Sequence, residues 1–434
     1  MVCRNRHKFS KWRSANHVNL LYTFDVDRIH IIMRKHVALP YDDDPIYRLS
    51  EPEHNFQSPG TRLVTDLRRT EPPFRADHVG SLLRPAKLAE TRDKWRQGKV
   101  SEDDLKSVED AAIQDAVALQ EGAGLKAITD GEFRRDYWHL DFMAGLDGVE
   151  YTGETYGHAF KGGLTVGTCS VTGKVGYPKD GVMREHFTAL KGMVHETAKF
   201  CIPSPTMFHF RPGRAGISEE AYPDLADFWT DIAAAYRDAI ADYASLGCTY
   251  LQIDDVNFCY FCDDKHRDML KERGDDPEPL FDDYIAAFNA TVAGKPAGMT
   301  ITTHMCRGNF QSSWMAEGGY EPVAEKMFGQ VDVDGFFMEF DTDRAGDFAP
   351  LRFVPKGKFV VLGLVSSKVP ELESVDALKS RIEEATKFVP LEQLCLSPQC
   401  GFASTHHGNK LTIDDEKRKL ERVVETAEAV WGNA

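Results

Sequence analysis

Residues 302–309 read TTHMCRGN, and two of them, His304 and Cys306, are metal-ligating types set two positions apart. They close the β-branched run MTITT, Met299 to Thr303, which reads as a strand. Alternate residues of a strand face the same side, so this imidazole and this thiol can close on one ion. Further along, Glu339 ends the run GFFMEFD and Cys400 ends LCLSPQC. Together the four offer N, S, O and S donors. Zinc accepts such a tetrahedral set, and thiolate softness discriminates against magnesium and calcium. Taken singly, a strand-end Cys is usually a small buried hydrophobe and a lone His is usually only hydrogen-bonded. Taken jointly, the four make that bland reading much weaker.

The elements that must carry these residues follow a rhythm from Phe74 onward. Short apolar, β-branched runs alternate with helical stretches: ADHVG, AITDGE from Ala127, AKFCIPSP from Ala198, YLQIDD from Tyr250, MTITTHMC from Met299, GFFMEFD from Gly335, FVVLGLVSS from Phe359 and LCLSPQC from Leu394. Intervening segments such as VEDAAIQDAVALQEGAG and DIAAAYRDAIADYASLG place apolar residues three and four apart and close at Gly124 and Gly247, as helices often do. Eight strand-helix repeats predict an α/β fold of the closed (β/α)₈ TIM-barrel type, and no GxGxxG follows any run to suggest a dinucleotide fold. Active sites of such barrels form where strands end. Those ends carry His78 and Ser81, Asp130 and Glu132, Asp254 and Asp255, His304 and Cys306, Glu339, Ser367 and Lys368, and Cys400. So many ligating side chains in one ring favour a site over solvated strand ends.

The chain has 434 residues, 42% of them hydrophobic, and a formal net charge of −16. That charge argues against nucleic acid or an anionic membrane as partner and in favour of small-molecule chemistry. No apolar run is long enough to cross a bilayer, and no signal-peptide pattern opens the chain. Nine irregularly spaced cysteines suit reduced thiols, so a cytoplasmic location is expected. Residues 1–73 read as an appended, flexible segment. They are rich in Arg and Lys up to Lys35, with no acidic residue before Asp25. The pattern in HVNLLYTF is not a clean amphipathic helix, so targeting is the weaker reading, and an upstream stretch before a start at Met33 is another. Residues 74–434 are expected to form the catalytic barrel.

THMC, the glutamate of FFMEFD and SPQCG, in the order His-x-Cys, Glu, Cys, resemble the zinc site of cobalamin-independent methionine synthase, in its C-terminal catalytic barrel. ADHVGSLLRP and ITDGEFRRDYW add to the likeness, which runs from about Phe74 to the C-terminus and is closest to the short, single-barrel branch. The resemblance implies that His304, Cys306, Glu339 and Cys400 hold Zn²⁺. It also implies that the segment His78, Val79, Gly80 and Ser81, with Glu132 and Asp254, holds the amino-acid part of homocysteine. The implied reaction is transfer of a methyl group to the homocysteine thiol, giving methionine. Zinc suits that chemistry, because a free thiol is mostly protonated at neutral pH and coordination removes the proton. Asp254 is also expected to act in catalysis, clamping the substrate ammonium with Glu132. Without the metal site beside them, Asp254 and Asp255 could equally be helix caps or ion-pair partners.

Two departures from the family pattern stand out. The proton-donating histidine after the seventh strand is replaced by Lys368, a poorer acid at neutral pH, so Lys368 is expected to stay charged and act in catalysis as a fixed cation holding a substrate carboxylate or an anionic leaving group. The tryptophan that stacks the folate ring falls near Phe208 to Phe210, and a folate-contacting glutamate near Tyr260. Loop packing is the simpler reading of FHF, and thiol alkylation is better supported than folate as donor. CYFC, with Cys259 and Cys262, lacks a second CxxC and is discounted; His406 and His407 are expected in solvent. Competing readings are a zinc thiol alkyltransferase or lyase acting on another thiol or electrophile, of the epoxide and coenzyme-thiol type, and a non-catalytic zinc barrel. The scaffold also resembles the uroporphyrinogen decarboxylase group, whose metal-free chemistry leaves His304, Cys306 and Cys400 unexplained.

Overall fold

The computed structural model describes residues 67–153 and 167–434. Its strands in chain order are β1 (Ala127–Ile128), β2 (Asp147–Tyr151), β3 (Cys169–Gly176), β4 (Thr197–Pro203), β5 (Tyr250–Asp255), β6 (Thr300–Met305), β7 (Gly335–Glu339), β8 (Phe359–Val365) and β9 (Leu394–Pro398). Seven of them form one sheet in the order β1-β4-β5-β6-β7-β8-β9, every pairing parallel. β2 and β3 form a separate antiparallel pair. The fold is thus α/β with a curled parallel sheet, and helices cover the sheet's outer face. Phe336 and Val360 pack into the large core shared with the helices, whereas Phe337, Val361 and Cys395, one position along, cluster with Val79 on the other face. That alternation is the two-residue period of strands buried on both sides.

The crossover helices start and stop where their sequences say they should. Ser101 caps helix Glu102–Gly122 reciprocally with Asp104, and Thr412 does the same with Asp415 for Ile413–Trp431; each such cap contributes about 0.5–2 kcal/mol. Gly124 and Gly247 lie just past their helices with φ of 96° and 91°, left-handed values that glycine takes without strain. No described helix is long and apolar enough to cross a membrane.

Two of the eight expected runs depart from regular strands. ADHVG makes a single bridge, Ala76 to Leu396, with Asp77 N–H donating to Leu396 O at 3.0 Å. Side chains take its next carbonyls: Lys199 Nζ donates to His78 O, Gln252 Nε2 to Val79 O at 2.6 Å and Thr129 Oγ1 to Gly80 O at 2.6 Å. A carbonyl held by a side chain is withdrawn from a ladder. β1 is only two residues long because Thr129 N–H donates to Gln120 Oε1 and the chain turns at once through Asp130 and Gly131. The β2–β3 pair lies outside the strand-helix count; buried, half-buried and exposed residues are mixed along it, so no apolar run announces it.

Of the N-terminal extension read as 1–73, residues 1–66 lie outside the described residues. Residues 67–73 pack onto the folded unit. Arg69 N–H donates to Asn433 Oδ1 at 3.1 Å, Asn433 Nδ2 returns a bond to Arg69 O at 2.7 Å, and the Arg69 guanidinium lies 3.7 Å from the Phe359 ring centroid.

Candidate active site

The C-terminal ends of neighbouring strands bring the metal-ligating side chains together. His304 is next to last in β6, paired in register with Asp254 of β5, and Cys306 follows one residue after the strand. Glu339 ends β7, and Cys400 lies two residues past β9. Potential ligand atoms of His304, Cys306, Glu339 and Cys400 all fall within 4.8 Å of one another, and all four residues are buried. The two sulfurs are 3.5 Å apart, and Gly308 N–H donates to Cys306 Sγ at 3.2 Å. Hydrogen bonding from Cys306 holds Cys400 well below the usual thiol range.

Neither ring nitrogen of buried His304 makes a well-formed hydrogen bond among the described residues, although the Cys400 sulfur lies beside the ring. Such a group is costly unless something fills the gap, and a metal ion would do so. Glu339 is held from behind: Arg307 N–H donates to Oε1 and Arg344 to Oε2, each at 2.8 Å. Burial pushes its pKa up while the positive charge of Lys368 pulls it back. The residues present therefore fit a soft divalent cation with mixed N, S and O preference.

A cleft opens over the cluster, walled by Val79, Ser81, Glu132, Asp254, His304, Cys306 and Cys400 among others. Glu132 has φ 62°, a left-handed backbone rarely adopted outside glycine, and strain of this kind concentrates at functional positions. Arg84 and Arg135 hold it there through the Glu132 carbonyl. Glu132 and Asp254, with Cys201, also have potential ligand atoms within 4.8 Å of one another. Burial first, opposed by Arg135 and reinforced by Asp254, pushes the Glu132 carboxyl up to about 7. Burial likewise lifts Asp254 to about 6 against the pull of His304. Glu132 Oε2 has no partner among the described residues. Two close carboxyl groups with acceptor capacity to spare suit a cation.

Residues 74–428 match the family described as "Cobalamin-independent synthase, Catalytic domain". The chain belongs to this family. It is 43% identical over 362 residues to the uncharacterised protein YxjH of Bacillus subtilis, covering 83% of this chain and 95% of that one. A solved Listeria monocytogenes structure, whose own assignment as a vitamin-B12 independent methionine synthase is provisional, aligns with a TM-score of 0.69 at 37% identity, over 84% of this chain and all of that one. The B12-independent methionine synthase of Shewanella sp. W3-18-1, solved with selenomethionine, aligns at 0.62 and 20% identity, over 82% of this chain and 97% of that one, which speaks for the fold alone.

Other residues singled out from the synthase-type motifs are distributed unevenly. Val79 and Ser81 reach the cleft wall; His78 and Gly80 do not. The His78 ring bonds Ala127 O at 3.1 Å, and burial, then Lys199, depresses its pKa to about 4. Lys368 is buried behind the cluster, where Nζ donates to Asn309 Oδ1 at 3.2 Å. Asn309 itself lines the cleft. Phe208 and Phe210 are core residues off the cleft wall, Phe210 packing on Tyr260 and Phe261, so FHF is loop packing. Tyr260 does face the cleft. Cys259 and Cys262 are buried free thiols outside the metal-ligating cluster, and His407 is exposed with His406 half-buried. Trp138, His139, Arg211 and Asn309 are cleft residues that the strand-end rule missed, because each lies in a loop beyond a strand end. An arginine directly after the apolar FHF was the one available signal.

Proposed function

We propose that this protein is a zinc-dependent S-methyltransferase of the methionine synthase type, converting homocysteine to methionine. The observation that carries the reading is the meeting of four buried metal-ligating side chains, three of which, His304, Cys306 and Cys400, line one cleft together with the Glu132–Asp254 carboxyl pair. His304, Cys306, Glu339 and Cys400 hold Zn²⁺, with residues 74–434 as the catalytic unit and the ADHVG segment closing the sheet into an eight-stranded barrel. Bound zinc supplies a thiol deprotonated at neutral pH. Glu132 and Asp254 receive the substrate ammonium, and Val79 and Ser81 flank it, so the thiol is aimed at the metal. A carbon–sulfur bond then forms as the donor's bond from methyl carbon to leaving group breaks. Glu339 is already paired with Arg344, so its charge would stay balanced if an incoming sulfur took its place on a bound metal. Zinc with two thiolates and one carboxylate carries a net negative charge, and Lys368 stands behind the set as a compensating cation.

Ammonium binding requires ionised carboxylates, so the raised Glu132 value has a readable consequence. A carboxyl whose folded pKa lies above its unfolded one contributes stability below the unfolded value and loses it as pH rises through the folded one. Ligand affinity runs the opposite way, strengthening with pH through about 7. In Glu132→Gln that dependence should flatten and homocysteine affinity should fall by about ten- to a hundredfold, a charged hydrogen bond being worth ~1.5–3 kcal/mol. Titration calorimetry between pH 5.5 and 8 reads both; an unchanged profile excludes Glu132 from the ammonium site.

The burial of Phe208 and Phe210 favours a donor other than a folate. Zinc-loaded protein incubated with homocysteine and a panel of methyl donors, with methionine detected by mass, tests the activity. Donors without an amine leaving group should outperform methyltetrahydrofolate, and Lys368→Met should lower turnover by about ten- to a hundredfold, the range for residues that support metal ligands. Fastest turnover with methyltetrahydrofolate, and a limb near neutral pH that Lys368→Met lacks, would instead make Lys368 a general acid. No methionine with any donor would turn the reading toward another thiol or electrophile.

A further inference from the structure

Arg211 follows the short helical turn Met207–Phe210 after β4, forms part of the cleft wall and is only 7% exposed. Its Nε has no hydrogen-bond partner among the described residues, and the guanidinium meets the neutral Tyr260 hydroxyl, which does not balance its charge. The arginines around it are occupied: Arg273 pairs with Asp275 at 2.5 Å and donates to Phe210 O, while Arg214 donates to Ile217 O and Tyr222 O. Buried cations are normally paired, because desolvating an isolated charge is unfavourable. Both ring nitrogens of His139, on the same wall, are buried and without partners among the described residues, and the Tyr260 hydroxyl stands beside Arg211, able to accept from it while keeping its own O–H to donate. Burial, with Arg211 adding to it, keeps His139 neutral, so one ring nitrogen carries a hydrogen to donate.

The cleft therefore has two polar characters. Glu132 and Asp254 present acceptors suited to a cation, and Arg211, Tyr260 and His139 present donors suited to an anion. We propose that Arg211, assisted by Tyr260 and His139, anchors a carboxylate of one of the two reactants taken up at the metal centre. The planar guanidinium fork matches a carboxylate's two oxygens, which a lysine in its place cannot do. This inference rests on the thiol-alkylation reading in taking the cleft as the place where both reactants meet. The carboxylate has two sources, the thiol amino acid itself or the methyl donor.

Titration calorimetry on the zinc-loaded full chain separates them, using wild type, Arg211→Met and Arg211→Lys. The probes are homocysteine, 3-aminopropane-1-thiol, which keeps thiol and amine but lacks the carboxylate, and succinate added to homocysteine-loaded protein. Melting temperature and metal content are followed in parallel. If the carboxylate is the amino acid's own, Arg211→Met weakens homocysteine at least tenfold and leaves 3-aminopropane-1-thiol unchanged. If it belongs to the donor, homocysteine is unchanged while succinate binds wild type and not Arg211→Met. Arg211→Lys should lie between the two in either case, and it carries the comparison if Arg211→Met melts early. Equal binding of homocysteine and of succinate by wild type and variants overturns the proposal. Failure of the thiol reading is distinct: 3-aminopropane-1-thiol then binds no form of the protein, while succinate added to the zinc-loaded chain alone still reports on Arg211.

Discussion

Serine in place of Cys306 or Cys400 should strip the protein of zinc while leaving it folded. Both sulfurs lie in the four-residue cluster, 3.5 Å apart, and a serine hydroxyl replaces a soft thiolate by a donor that stays protonated. Four-ligand zinc sites in small domains contribute ~10–16 kcal/mol, so one ligand lost from four should weaken affinity by a few orders of magnitude. Those small domains unfold without their metal; this one should not, because β6 and β7 are held by ladders on both sides and β9 by its ladder to β8. Zinc per chain after dialysis against a mild chelator should fall from about one to near zero, with circular dichroism unchanged. Full retention of zinc in both variants would mean that the two sulfurs are not ligands.

The second large effect concerns stability. Lys199 is fully buried and donates to Asp77 Oδ1 at 2.9 Å, and Asp77 also accepts from the Tyr250 hydroxyl at 2.8 Å and from His78 N–H at 2.8 Å. The Lys199 ammonium lies 4.0 Å from the Phe337 ring centroid, inside the curl of the sheet. Removing one member of such a pair strands the other charge away from water, at a cost of ~3–5 kcal/mol. Asp77→Ala should therefore shift the urea midpoint strongly. Adding Lys199→Met should recover much of the loss, because the apolar stem keeps its packing and no buried charge remains. Losses that simply add in the double variant would show that the two side chains act independently.

How far the site could be read ahead depended on whether a residue's place follows from backbone periodicity. His304, Cys306, Glu339 and Cys400 sit at or just beyond strand ends, and the ends of parallel strands converge wherever a sheet curls, so residue type and position sufficed. Glu132 and Asp254 were legible for the same reason. His78 stands in as promising a segment, yet side chains capture its carbonyl and the next ones, turning its ring toward Ala127 O instead of the cleft. That capture is a tertiary effect that no window of ADHVG contains. Arg211 and His139 reach the cleft from loops, whose paths depend on what they pack against, and their unpartnered nitrogens are visible only when every neighbour is known. Seven strand runs found ladders because each is buried and opens on apolar or β-branched residues; the part-exposed pair β2–β3 has no such signal.

X-ray absorption at the zinc edge, before and after addition of homocysteine, tests most directly whether this cluster is a thiol-activating zinc site. Zinc held by Cys306, Cys400, His304 and Glu339 should show two sulfur neighbours with lighter atoms completing the shell, and homocysteine should raise the sulfur count to three. A sulfur count unchanged by saturating homocysteine, or zinc with no sulfur neighbours at all, would contradict it.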